Sequence, residues 1–360
     1  MSDLKPPPRH RIRGRAAKSC EVGRFEAYQR VDTDDGWARD EELPPLRTEV
    51  SLERPRSAIT RNTSPDVHFD RSVNPYRGCE HGCIYCFARP SHAYLGMSPG
   101  LDFETRLIAR PEMPDVLERE LRRKSYKVAP IAIGTNTDPY QPIEKDHEIM
   151  RRILEVLHAY RHPVCVVTKG TLIERDADIL GEMGRLGLAR VGITVTTLDD
   201  AVSRAMEPRV PSPKRRLQTI RSLADAGCPV RVMVSPVVPA LTDHEMEAIL
   251  QAGRDAGATI ASWIMLRLPR EVAGLFREWL NDAFPDRAGR IMGRVRALHG
   301  GRDYDPEFGK RMTGEGEFAN LMAHRFSIAV KRLGLKTRFP DLRTDLFKLP
   351  ERAGDQLSLF

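Results

Sequence analysis

From about residue 65 onward, short apolar runs rich in β-branched residues alternate with longer stretches whose apolar positions recur at three- and four-residue spacing. That alternation is the pattern of a parallel sheet built from βα units. It predicts strands at 71–74, 131–135, 164–168, 191–196, 230–234 and 260–266. Between them, Ile149, Ile153, Val156 and Leu157 mark a helix over 144–160, and Leu217, Ile220 and Leu223 mark another over 215–226. Gly227 stands where a helix C-cap belongs and Asp243 where an N-cap belongs. Six strands in βα order, with polar residues just past their C-terminal ends, predict an α/β fold of the partial (β/α)6 TIM-like barrel type, its active site at that edge. A doubly wound sheet is the alternative topology.

Residues 1–65 are rich in Pro, Arg and Asp with little periodicity and are expected to form a loose basic extension. The core barrel is expected over 66–268. Residues 269–337, with Trp279, Phe284, Met292, Phe318, Phe326 and Ile328, predict a helical extension, and 338–360 a proline-punctuated tail. The chain carries a formal net charge of +7, from arginines spread along its length. That balance suits a polyanionic partner and equally a solvated basic surface. No run approaches the roughly eighteen apolar residues of a membrane span, and the N-terminus lacks the apolar core of a signal peptide, so a cytoplasmic location is expected.

Three of the six cysteines fall within eight residues, unlike the dispersed framework of a disulfide-stapled domain. Cys79-x3-Cys83-x2-Cys86 is interrupted by glycine, which lets backbone wrap closely around a cluster. Three thiolates would leave one iron of a 4Fe-4S cluster open to a ligand bearing an amine and a carboxylate. The competing reading is structural zinc, which needs a fourth ligand from His81, His92 or Cys165.

With its aromatic Tyr85 before the third cysteine, this loop resembles the signature of the radical S-adenosylmethionine (SAM) superfamily. The stretches NPYRGCEHGCIYCFARPSHAYLG, TDPYQPIE, TVTTLDDAVSRAMEPRVPSPKRRL and VSPVVPALTD further resemble bacterial proteins similar to spore photoproduct lyase, often described as DNA-repair photolyase-like. The resemblance spans about residues 65–335. It implies an iron-sulfur enzyme, lyase-like, with a 4Fe-4S cluster on Cys79, Cys83 and Cys86, S-adenosyl-L-methionine as cofactor and an external electron donor. Reductive cleavage of the cofactor to a 5′-deoxyadenosyl radical is the implied chemistry.

The resemblance also suggests cofactor contacts. Asn136, Thr137 and Asp138 occupy the place of a motif that holds the methionine amine, although Asp138-Pro139 equally fits an Asx-type turn. Thr194 and Thr196 would face the ribose, unless they merely reflect threonine's liking for strands. Ser235, Pro236 and Val238 would line the adenine. Lys169, Arg209 and Arg267 are cations at barrel-top positions, suited to a carboxylate or phosphate. The sequence departs from spore photoproduct lyases in having no evident hydrogen-donor cysteine: Cys165 reads as core, Cys228 follows a capping glycine and Cys20 lies in the loose N-terminus. Direct reversal of a thymine dimer is therefore not expected.

The chain ends Gln356-Leu357-Ser358-Leu359-Phe360, which resembles the peptide by which bacterial polymerases and repair proteins dock on the DNA sliding clamp. Folding back onto the protein's own core is the alternative. The expected substrate is nucleic acid, with DNA in a repair setting favoured. RNA or protein modification, and a non-catalytic zinc- or cluster-bearing nucleic-acid-binding module, are the rival readings.

Overall fold

A computed structural model describes residues 14–25 and 46–351. Six parallel strands, β1 (Arg71–Val73), β2 (Ile131–Ile133), β3 (Val164–Thr168), β4 (Ala189–Thr194), β5 (Val230–Val237) and β6 (Ile260–Met265), lie side by side in chain order. The antiparallel Thr60–Arg61 adds a seventh strand beside β1. Because the order never reverses, the sheet has no topological switch point, which excludes the doubly wound alternative and leaves an open (β/α)6 barrel. The helices α1 (Met113–Leu121), α2 (Ile149–Ala159), α3 (Ala177–Arg185), α4 (Pro213–Asp225) and α5 (Met246–Asp255) follow the strands in turn. Their inward residues, among them Leu117, Ile153, Leu180, Ile220 and Ile249, are fully buried with Val164, Val191 and Val232 in one core. Among the described residues no helix is long and apolar enough to cross a membrane.

The helix expected over 144–160 is broken. Glu148 takes a left-handed φ of 48° between a short turn, Glu144–His147, and α2. The cause is Glu144, which is buried and accepts the Met150 N–H at 3.0 Å, so that its side chain satisfies an orphan donor of α2's first turn. Asp243 is not the N-cap of α5: it opens a one-turn 3-10 segment, and α5 begins at Met246.

The N-terminal stretch is less loose than its composition suggests. Glu49–Leu52 pairs in parallel with Arg106–Ala109, and the N–H groups of Ala16 and Ala17 bond to the buried Glu104 carboxylate at 3.2 and 3.0 Å. A buried acceptor thus fixes a segment that has no periodicity of its own. The region after β6 is helical, with α6 (Glu271–Ala283), α7 (Pro285–Leu298) and α8 (Glu317–Leu333). Phe276, Trp279 and Leu280 of α6 share a core with Ile84 and Tyr85 of the cysteine loop.

Past α8 the chain runs across the N-terminal ends of the strands like a belt. Lys336 bridges to Ile260, Phe339 lies beneath the guanidiniums of Arg190 and Arg231, and the Arg343 N–H bonds to Gly187 O at 3.0 Å. Phe347 then enters a cage of Tyr126, Tyr160 and His162, and Arg122 holds Pro350 O at 2.6 Å. Within that cage the Tyr126 hydroxyl donates to His162 Nε2 at 2.6 Å while Nδ1 donates to Pro163 O at 3.0 Å, a fully satisfied neutral imidazole. Burial holds its pKa down at about 4, from an ordinary 6.5. Because the unfolded chain takes up this proton first, the stabilisation is complete above about pH 6.5, is lost as pH falls toward 4, and changes no further below that. Chemical melts between pH 7 and pH 4 should show this loss, up to roughly 3 kcal/mol from this group. His162→Gln should remove that share of the pH dependence; an unchanged profile would refute the assignment.

Candidate active site

The cysteine loop leaves the C-terminal end of β1 and is shaped by two glycines. Gly78 has φ 74° and Gly82 φ 66°; a Cβ on either would lie 2.7 Å from Leu107 Cδ2 or from a Glu104 carboxylate oxygen, respectively. No other residue fits that combination of conformation and close approach. Arg89, wholly buried, pins the loop from behind. Its guanidinium donates to the carbonyls of Gly82 and Cys83, each at 3.0 Å, and to those of Pro99 and Gly100, and pairs with Glu104 at 2.5 Å. The backbone is thus turned so that Cys79, Cys83 and Cys86 all line one cavity at the barrel's C-terminal edge. Burial pushes all three thiols up, so their thiolates form where a cation compensates. Among the described residues no three His, Cys, Asp or Glu side chains converge on a single-ion position. His92 and Cys165, two of the possible zinc-closing ligands, do not line the cavity: His92 Nε2 sits 2.9 Å from Arg106 O, and Cys165 Sγ accepts from Arg190 Nε at 2.9 Å.

The loop after β2 forms the next wall. Asn136, Thr137 and Asp138 line the cavity, but their side chains are not equivalent. Asp138 Oδ1 accepts from the Thr168 hydroxyl at 2.5 Å and the Tyr140 N–H at 3.0 Å, the latter closing the Asx turn; Oδ2 accepts from the Lys169 N–H at 2.8 Å and is approached by His81 Nδ1 at 3.3 Å. Burial alone would push this carboxyl up, yet His81, Thr168 and Lys169 together hold it at about 2. Asp138 is therefore a brace that locks its loop to the end of β3. Thr137 is likewise engaged, donating to Gly78 O at 2.6 Å. The Asn136 side chain makes no hydrogen bond among the described residues and is the open one of the three.

Tyr85 is buried with its ring on the cavity wall, Lys169 Nζ 5.7 Å from the ring centroid and its hydroxyl donating to Glu207. Thr196 donates to the same carboxylate at 2.6 Å, and Arg216 pairs with it at 2.9 Å, both charges fully buried. Burial would raise Glu207, but Arg216 and Lys169 keep it below the usual carboxylate range. Glu207 and Arg216 were not among the residues singled out from sequence, because a buried ion pair bridging a loop and a helix has no local pattern.

Thr194 lines the cavity, whereas Thr196, beyond the end of β4, serves the Glu207 network instead. Ser235 and Pro236 line it; Val238 is buried in the neighbouring core with Leu241 and Leu268. Of the three cations, Lys169 and Arg267 face the cavity, while Arg209 is drawn away by Glu80, 2.7 Å distant. Phe87, Val167, Met233, Ile264 and Met265, none picked out from sequence, complete an apolar lining. For Val167, Met233, Ile264 and Met265 the signal was only an apolar residue on a strand, which a core also produces; Phe87 lies in the cysteine loop. Cys228 is buried beneath the sheet and Cys20 is partly buried in the N-terminal strap. Residues 356–360 lie outside the described residues.

Residues 73–252 match the radical SAM superfamily. An uncharacterized protein of Mycobacterium tuberculosis is 37% identical over 249 residues, 69% of this chain and 72% of that protein. An uncharacterized protein of Methanocaldococcus jannaschii is 26% identical over 174 residues, 48% of this chain and 62% of its own. Among solved structures, spore photoproduct lyase complexed with dinucleoside spore photoproduct has a similar fold, with a TM-score of 0.59 over 85% of this chain and 87% of that one, at 15% identity.

Proposed function

The chain belongs to the radical SAM superfamily, and from that membership we propose that it is an enzyme acting on nucleic acid, DNA in a repair setting, through a 4Fe-4S cluster held by Cys79, Cys83 and Cys86. The observation that carries the reading is the convergence of three thiols, those of Cys79 and Cys83 buried and that of Cys86 half-buried, on one cavity whose other walls offer Asn136, Thr194 and Lys169. When bound, the cluster and S-adenosyl-L-methionine supply an electron and a carbon-sulfur bond whose reductive cleavage gives a carbon radical able to take hydrogen from the substrate.

The chain's own residues prepare for this. Gly78 and Gly82 let the loop backbone close around the thiols, and Arg89 fixes the carbonyls of Gly82 and Cys83 so that the sulfur positions are set before anything binds. The side-chain oxygen of Asn136 is the acceptor for a cofactor ammonium, while Asp138 holds that loop in place. Lys169, beside the cavity with no carboxylate within 4 Å among the described residues, suits the cofactor carboxylate. Tyr85, oriented by Glu207, closes the wall next to the thiols. The apolar lining of Val167, Met233 and Ile264 offers little for water to hydrogen-bond and bounds the space in which a radical would meet its substrate. Spore photoproduct lyase binds a dinucleoside spore photoproduct, and the likeness of fold is what supports nucleic acid as the substrate class here. Gln356, Leu357, Ser358, Leu359 and Phe360 are assigned to sliding-clamp docking on their resemblance alone.

The test is anaerobic. Protein reconstituted with iron and sulfide, reduced and given S-adenosyl-L-methionine should release 5′-deoxyadenosine, and ultraviolet-damaged or oxidised DNA should raise the rate above that with undamaged DNA. A colourless protein holding one zinc, with no nucleoside formed after reconstitution, would overturn the chemistry. Equal rates with and without damaged DNA would overturn the substrate class.

A further inference from the structure

The four most exposed aromatic side chains among the described residues are Phe25, Phe87, Tyr94 and Phe308. Each has an arginine over its ring: Arg24 lies 5.3 Å from Phe25 and 5.5 Å from Tyr94, Arg267 5.2 Å from Phe87, and Arg311 4.5 Å from Phe308. One of these pairs lines the cavity, and the others are tied to it through residues close to Arg267 in the chain or in contact with it. The lining pair is Phe87 and Arg267. Three residues on, Arg270 donates to the Tyr94 hydroxyl at 3.3 Å, and Tyr94 touches Phe25 with ring centroids 5.1 Å apart. On the other side Arg267 reaches Met312 Sδ at 3.2 Å, next to Arg311.

The charges divide in a telling way. Arg24 is paired with Glu271 at 2.6 Å, and Arg311 with Asp66. Arg267 and Arg270, the two between them, have no carboxylate within 4 Å among the described residues, and the buried Arg267 Nε has no hydrogen-bond partner. Outward-facing rings cost apolar exposure, and unpaired guanidiniums beside them add no ion-pair stability, so the fold itself does not account for the arrangement. A ligand that offers flat π-faces and spaced negative charges does.

We infer that this rim binds an unpaired stretch of nucleic acid strand, whose bases stack on Tyr94 and Phe87 and whose phosphates meet Arg270 and Arg267 as it enters the cavity. Paired bases present no free face, whereas unpaired bases stack on aromatic rings with little regard to sequence. The inference rests on the reading that the substrate is nucleic acid, and refines it: the strand is engaged single or locally opened.

Fluorescence anisotropy on the reconstituted protein tests it, with a labelled single-stranded oligodeoxynucleotide, its RNA counterpart, the corresponding duplex, and an oligonucleotide of the same length made entirely of abasic sites. The single strand should bind more tightly than the duplex, and the abasic strand at least about tenfold more weakly than the intact one. Phe87→Ala and Tyr94→Ala should each weaken single-strand binding by roughly tenfold, with Phe87→Trp retaining it. Arg267→Ala should lower the salt dependence by about one phosphate contact. Abasic and intact strands bound equally, a duplex bound as tightly as the single strand, or no binding at all would overturn the inference. Preference for RNA would keep the stacking rim and refute DNA as substrate. Damaged duplex DNA that stimulates 5′-deoxyadenosine release while Phe87→Ala and Tyr94→Ala bind normally would keep the repair reading and refute the rim.

Discussion

Glu104→Ala is expected to cost about 3–5 kcal/mol of folding stability, because it leaves the Arg89 guanidinium buried with no counter-charge. Arg89 and Glu104 are both fully buried, so water cannot replace the missing carboxylate. The loss spreads further: the N–H groups of Ala16 and Ala17 lose their acceptor, and the strap from residue 14 to 25 loses its anchor against the cysteine loop. Guanidinium-chloride melts of the cluster-free protein measure this directly, since no cofactor contributes there. Glu104→Gln keeps the shape but removes the charge and replaces one of the two accepting oxygens with an NH2 donor, and should fall between the two. An alanine variant as stable as the parent would mean that the pair is not what holds the loop.

Cys79→Ala, Cys83→Ala and Cys86→Ala should each abolish nucleoside release, by at least about a hundredfold, the upper end of what loss of an outer-shell partner alone costs a metal site. The three thiols line one cavity and, among the described residues, no other cysteine lines it, so each loss should be felt alike. Iron content and visible absorption after reconstitution report the cluster independently of turnover. Melting of the cluster-free variants should stay within about 1 kcal/mol of the parent, since each substitution deletes one sulfur from the wall of an existing cavity. One variant that keeps full iron and full turnover would remove that cysteine from the set.

The barrel was legible because its signals are local: the strands from β2 onward are short apolar runs containing β-branched residues, and β3 begins and ends where the pattern put it. The cysteine spacing was legible for the same reason. What escaped was set by partners distant in sequence. The break at Glu148 depends on where the Glu144 carboxylate turns, and the ordering of Ala16 and Ala17 on an acid nearly ninety residues away. Asp138 was read as an acceptor because its type and position fit, yet its lone pairs are consumed by Thr168, Tyr140, Lys169 and His81. Arg209 looked equivalent to Lys169 and Arg267 until Glu80 claimed it. Residue type says what a side chain can do; only the fold says whether a neighbour has already taken that capacity.

The belt formed by residues 336–350 has a mechanical consequence. It is gripped at Ile260, at Phe339, at Gly187, in the Phe347 cage and at Arg122, all on the side of the barrel away from the cavity. Whatever holds the chain beyond Glu351 therefore pulls on the back of the barrel, and the load is shared among successive grips before it reaches any strand. A molecule held from that end would be loaded on the face opposite its cavity.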